Sequence, residues 1–222
     1  MLTFSYFFKP NKRQVKRNEP NIIERKKINS KNIDSLIKIL RDSDKRLLPV
    51  KVIDSKGTVS YKYTLIEGEK KLNLKEIKYL IKNPPKNEIE IEFLKRTINM
   101  LNNSRVNVFL EKPKIIGASA EWDYKEKTIR FNPKIIKSGT KAFVKSLNHE
   151  IIHVIQSCIG GGFKKKPTLI GLKINDKNKI DKILENPIYK NLSYYQYKLE
   201  LEAYSYQHDL TFSPKSFTKY CL

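Results

Sequence analysis

The sequence predicts an α+β domain: a small mixed sheet with several helices, preceded by a smaller α/β module. Two periodicities and one bulk property carry this. Apolar residues recur at three- and four-residue intervals over 31–43, 88–101 and 144–155, the stripe of a helix that buries one face. Short apolar runs at 106–110, 118–124 and 128–131 are bounded by turn-forming residues, as strands are. At 222 residues and 39% hydrophobic, the chain can build one ordinary core with an appendage.

The formal net charge is +22, from 45 Lys and Arg against 23 Asp and Glu. That balance suits a polyanion, either nucleic acid or an acidic membrane surface. Lys outnumbers Arg 37 to 8, however, and readers of phosphates and bases favour the forked guanidinium. Lys, Asn and Ile also share AT-rich codons, so base composition supplies the excess without selection for binding. Nucleic acid is therefore not expected as the main partner. No apolar run reaches the roughly 18 residues that a transmembrane helix needs. The apolar stretch Met1 to Phe8 precedes its basic residues, the reverse of a secretory signal. A cytoplasmic location is expected. Cys158 then reads as a small buried residue and Cys221 as a free terminal thiol, not as a disulfide pair.

Taken in order, residues 1–30 form a basic arm. Eight Lys and Arg, from Lys9 to Lys27, face only Glu19 and Glu24, and Pro10 and Pro20 break any helix. Disorder is expected there, or an anchor to an anionic surface. Residues 31–86 form the N-terminal module: a helix striped by Ile33, Leu36, Ile37 and Leu40, a hairpin turning at Asp54 to Gly57, and a short helix over 72–81. Asn83-Pro84-Pro85 marks its boundary. Residues 87–222 form the main domain. A helix over 88–101 leads to the three strands, and a longer helix runs from Ser138-Gly139-Thr140 to Gly160-Gly161-Gly162. Residues 159–191 are loop-rich, with a short helix over 179–184, and are long enough to wall or cover a site. A last helix is striped by Leu192, Tyr195, Leu199, Ala203 and Tyr206.

Inside the long helix stands His149-Glu150-Ile151-Ile152-His153. Residues four apart share a helix face, so both imidazoles can address one point, with the Glu150 carboxylate at its rim. That is the contribution a hydrolytic zinc site draws from one helix: two neutral ligands and a general base. The plainer alternative is a core helix with two hydrogen-bonded histidines. A catalytic zinc needs a third protein ligand. Glu202 is the first choice, because it lies at the edge of the last helix's apolar stripe and a buried carboxylate needs a partner. Glu200, off that stripe, and His208 remain alternatives.

His149-Glu150-x-x-His153 with Glu202-Ala203 on a later helix resembles the gluzincins, the thermolysin-like zinc metallopeptidases. The resemblance spans about residues 87–210. It implies a zincin-like domain holding one zinc ion per chain on His149, His153 and Glu202, with Glu150 as general base. It also implies an edge strand that binds substrate, matching Ala118, Ser119, Ala120, Glu121 and Trp122, and a Tyr or His that stabilises the oxyanion, for which Tyr206 and His208 are the candidates. Position 156 is Gln, which departs from the metzincin pattern. The expected function is zinc-dependent hydrolysis of a peptide or protein substrate. The alternative is a non-catalytic module of the same fold, docking to RNA or an acidic membrane through its basic surface. The two part on salt dependence, which dominates only the second.

Overall fold

The computed structural model describes residues 25–63 and 71–222. The polypeptide runs β1 (Lys26–Lys27), α1 (Ile33–Leu47), β2 (Val50–Ile53), β3 (Val59–Lys62), α2 (Leu74–Lys82), α3 (Glu88–Asn103), β4 (Asn107–Leu110), β5 (Ala120–Asp123), β6 (Thr128–Phe131), α4 (Gly139–Ile159), α5 (Lys177–Leu184), α6 (Tyr194–Tyr206) and α7 (Phe212–Cys221). It is a mixed α+β fold. The main sheet has the order β1-β4-β6-β5. β4 and β6 are parallel, and β1 and β5 flank them antiparallel. No helix among the described residues is long and apolar enough to cross a membrane.

α4 is the centre of the molecule. Phe143, Leu147, Ile151, Val154 and Ile155 are fully buried or nearly so, and pack with Leu94 and Ile98 of α3, Ile129 and Phe131 of β6, and Phe217 of α7. This helix is apolar on most of its circumference, as a helix enclosed by neighbours must be. Its start is fixed from a distance. The Asp44 carboxylate of α1 accepts from the Thr140 backbone N–H at 2.7 Å and from its hydroxyl at 2.6 Å. Gly139 makes this possible: it has φ +82°, and a Cβ there would lie 2.3 Å from Asp44 Oδ1. Ser138, expected to help start the helix, makes no side-chain cap.

Three expectations change. The boundary at Pro84-Pro85 does not divide the core, because Ile33, Leu36, Ile37 and Leu40 of α1 are buried in the same cluster as α4. Of the expected N-terminal module, the described residues of the β2–β3 hairpin and α2 stand outside it, with Val50, Ile53, Val59 and Tyr79 exposed. The end of the expected disordered arm is ordered. β1 pairs with β4, the Ile28 N–H donates to the Val108 carbonyl at 2.8 Å, and Ile28 is buried. The rest of that arm lies outside the described residues, as does the end of the expected second hairpin strand. Finally, Cys158 and Cys221 are bonded to each other and neither is a free thiol. α7, which has no counterpart among the expected elements, packs its buried Phe217 on α4 and carries Cys221 to the last turn of that helix.

Candidate metal centre

The helical pitch of α4 sorts its polar residues by direction. Toward β5, Ser157 accepts from the Trp122 indole N–H at 2.9 Å, and the Glu150 carboxylate accepts from the Trp122 backbone N–H. Toward α6, the Asn148 amide donates to the carbonyls of Tyr206, Gln207 and Asp209 at 2.9–3.1 Å. Between these two sides, His149 and His153 point into a cleft.

Their Nε2 atoms are 3.2 Å apart. Glu200 of α6 completes a triangle, with Oε2 3.2 Å from His149 Nε2 and Oε1 3.4 Å from His153 Nε2. Zinc–ligand bonds of about 2.0–2.1 Å give a coordination tetrahedron with edges of about 3.3–3.4 Å. Each of the three contacts is close to such an edge, the two to Glu200 being made by different oxygens of its carboxylate. Two imidazoles and a carboxylate are also a donor set that zinc takes. Hence His149, His153 and Glu200 form a group that could hold a metal ion. The cluster is not sealed: the Glu200 side chain keeps 19% of its exposure, and His149 and His153 keep 11% and 12%. Part of the cluster's surface thus reaches solvent; a catalytic metal would need a fourth position open there.

Hydrogen bonds around the cluster set its protonation. Gln156 Nε2 donates to the Leu199 carbonyl at 3.1 Å and to Glu202 Oε2 at 3.0 Å, so its oxygen faces His153 Nδ1 at 2.7 Å and accepts from it. A neutral His153 thus carries its proton on Nδ1 and offers the Nε2 lone pair to a metal. In the metal-free protein, burial works against a charged His153, but the Glu200 carboxylate beside it prevails and raises it to about 9. Burial likewise opposes the Glu200 charge, yet His153 and His149 hold that carboxyl well below its usual range. The two form an ion pair whose proton a metal would displace. Burial raises the Glu150 carboxyl against the pull of both histidines.

The structure does not bring Glu202 into this group. Glu202 is buried, as expected, but its carboxylate is already saturated. It accepts from the backbone N–H groups of Ile170, Gly171 and Leu172 at 2.7–2.9 Å, and from Gln156. Gly171, at φ +85°, turns the chain so that three successive N–H groups converge on one acid. α6 lies between α4 and α5 and buries residues on more than one face, which is why its apolar stripe points to the wrong acid. Tyr206 and His208 are also displaced from the expected role. The Tyr206 ring packs on Phe212 at 4.5 Å, and His208 is exposed beyond the helix end. Tyr204 lies beside the cluster instead, its ring 4.6 Å from that of His149 and its hydroxyl 2.5 Å from that of Tyr189 in the loop-rich segment. Burial, with Glu200 and Glu150 nearby, raises the Tyr204 hydroxyl and keeps it a donor. The spacing held the signal: Tyr204 follows Glu200 by four residues, as His153 follows His149.

Ala118, Ser119, Ala120, Glu121 and Trp122 lead into and form β5, the edge strand on the cleft side of the sheet. The Ser119 carbonyl accepts from Asn132 N–H, and the Glu121 carboxylate accepts from the backbone of Lys114 and Ile115. Trp122 is in the core. Compared with protein-family models, curated proteins and solved structures, the chain matches none of them.

Proposed function

We propose that the protein is a zinc-dependent metallopeptidase of the gluzincin type, holding one zinc ion per chain on His149, His153 and Glu200. The observation that carries this reading is the meeting of two imidazole nitrogens 3.2 Å apart with the Glu200 carboxylate, whose two oxygens lie 3.2 and 3.4 Å from them, flanked by Glu150. When bound, zinc supplies Lewis acidity to the scissile carbonyl and to water. The chain's own residues do the rest. Glu150 takes the proton of the attacking water and returns it to the leaving amine. Tyr204, its hydroxyl fixed by Tyr189, donates to the developing oxyanion. The open edge of β5 holds an extended peptide by backbone pairing. Gln156 keeps His153 in the tautomer that presents Nε2.

A bare structural metal site has no use for a buried base beside it, which sets the hydrolytic reading above a purely structural one. The Cys158–Cys221 bridge weighs against the expected cytoplasmic location, since such bonds persist in oxidising compartments. The test is Glu150→Gln. The variant should retain zinc and lose hydrolysis of a denatured protein substrate by roughly 10²–10⁴-fold. Hydrolysis that continues at the parent rate would sink the proposal.

A further inference from the structure

The β2–β3 hairpin and α2 lie outside the core cluster and are joined at one end, where the Tyr63 hydroxyl accepts from the Leu72 N–H at 3.0 Å. Of the fourteen large hydrophobic residues exposed among the described ones, six belong to these three elements: Val50, Ile53, Val59, Leu74, Tyr79 and Ile81. Single apolar side chains on a surface are ordinary, but a concentration of them marks a contact site.

The same stretch is cationic. Residues 50–63 and 71–86 carry eight lysines, all exposed, against Asp54 and Glu76. That is a net +6 over 30 residues, about twice the mean density of the chain, +22 over 222. Both acids are engaged within their own turns. Asp54 accepts from the Lys56 and Thr58 N–H groups, and Glu76 accepts from the Asn73 N–H in the capping box of α2. Among the described residues, the lysines in ion pairs are Lys45, Lys95, Lys114 and Lys177, none of these eight.

α2 sets the two kinds of residue side by side. At 3.6 residues per turn, Lys75, Lys78 and Lys82 share one exposed face, bordered by Leu74 and Ile81 on one side and by Tyr79 on the other. Ile77 is turned away and buried. A lipid interface accommodates both kinds at once: apolar side chains reach the acyl boundary, while lysine stems let their ammonium groups stay at the headgroups. Nucleic acid fits less well, because no arginine lies between Arg46 and Arg96, and phosphate and base readers favour the guanidinium.

We infer that α2 and the β2–β3 hairpin dock the protein on an anionic bilayer surface, with Lys75, Lys78 and Lys82 meeting anionic headgroups and Leu74, Tyr79 and Ile81 entering between them. The docking is independent of the metal site, whose residues lie on α4 and α6.

The test measures co-sedimentation of the full chain with phosphatidylcholine vesicles, with and without about one-third phosphatidylserine, at low and at physiological salt. Binding should require the anionic lipid and weaken as salt rises. A lysine at such a surface contributes about fivefold, so Lys75→Gln with Lys78→Gln and Lys82→Gln should weaken binding on the order of 100-fold. Lys164→Gln with Lys165→Gln and Lys166→Gln, equally exposed, should change it by less than about threefold. Tyr79→Ser with Ile81→Ser should weaken it at least about tenfold. Tyr79→Trp gives a reading that needs no loss of binding: its emission should shift to the blue with anionic vesicles, against the buried Trp122. A parent that ignores anionic vesicles, or a Tyr79→Trp emission that does not shift, overturns the inference. Equal loss from the two lysine sets assigns the binding to overall charge and overturns it too. Vesicle binding that keeps its strength in Tyr79→Ser with Ile81→Ser, and that single-stranded RNA displaces, makes the patch a general polyanion surface and overturns the membrane reading.

Discussion

Glu200 and Glu202 sit two residues apart on α6 and serve opposite ends. The Glu200 side is open: its carboxylate meets two imidazole nitrogens and solvent. The Glu202 side is closed: its carboxylate is saturated by three backbone N–H groups and an amide. The contrast shows that burial alone does not identify a metal ligand. What matters is whether the donors around an acid are protons fixed in the fold or lone pairs awaiting a cation. Gln156 joins the two sides, since one end holds His153 and the other holds Glu202.

Substitutions should separate these roles. The largest effect on stability belongs to the C-terminal end of α4, which the disulfide ties to α7 across 63 residues. Loss of that bond, by Cys158→Ala with Cys221→Ala, should cost on the order of 4 kcal/mol from loop entropy. Metal affinity should be nearly unchanged once the protein is folded, which chemical denaturation and zinc titration together would show. Next comes Glu202→Ala, which strands three buried N–H groups and should cost about 3 kcal/mol. Glu200→Ala removes the partner of the His153 imidazolium, so its cost to the metal-free protein should fade above about pH 9, where that imidazole is neutral, and the comparison with Glu202→Ala belongs there. Equal destabilisation by the two would erase the distinction between the sides. Gln156→Ala should affect both, weakening zinc about 10–100-fold through His153 as well as lowering stability. A change in only one would disconnect them.

The pH dependence of metal binding tests the open side alone. Below about 9, His153 carries a proton in the metal-free protein, held there by Glu200. A metal must displace it, so apparent zinc affinity should rise about tenfold per pH unit from 7 toward 9 and flatten above. A flat profile between pH 7 and 9 would show that His153 is already neutral and unpaired from Glu200.

The motif helix was legible in the sequence because one helix supplies both histidines and Glu150, and local pitch alone places them. The strands before it were legible from alternation and turns, and β5 lies beside the motif as expected. The third residue of the candidate cluster was not legible, because it depends on which face of α6 meets α4. That choice is made by Asn148 and Gln156 reaching across about fifty residues of sequence to backbone carbonyls and to Glu202. A helix buried on more than one side loses the single stripe that sequence patterns rely on. The disulfide was hidden for a related reason. Nothing local to Cys158 and Cys221 records that α7 folds back along α4. The α1–α4 union was equally non-local, resting on Asp44 and Thr140.

Glu200, and not Glu202, is proposed to complete the metal site. Zinc content per chain, measured on tag-free protein, tests it most directly. The parent should carry one zinc, Glu200→Ala essentially none, and folded Glu202→Gln close to one. Zinc retained by Glu200→Ala and lost from folded Glu202→Gln would contradict the account, and a parent without zinc after reconstitution would return His149 and His153 to the core as ordinary buried side chains.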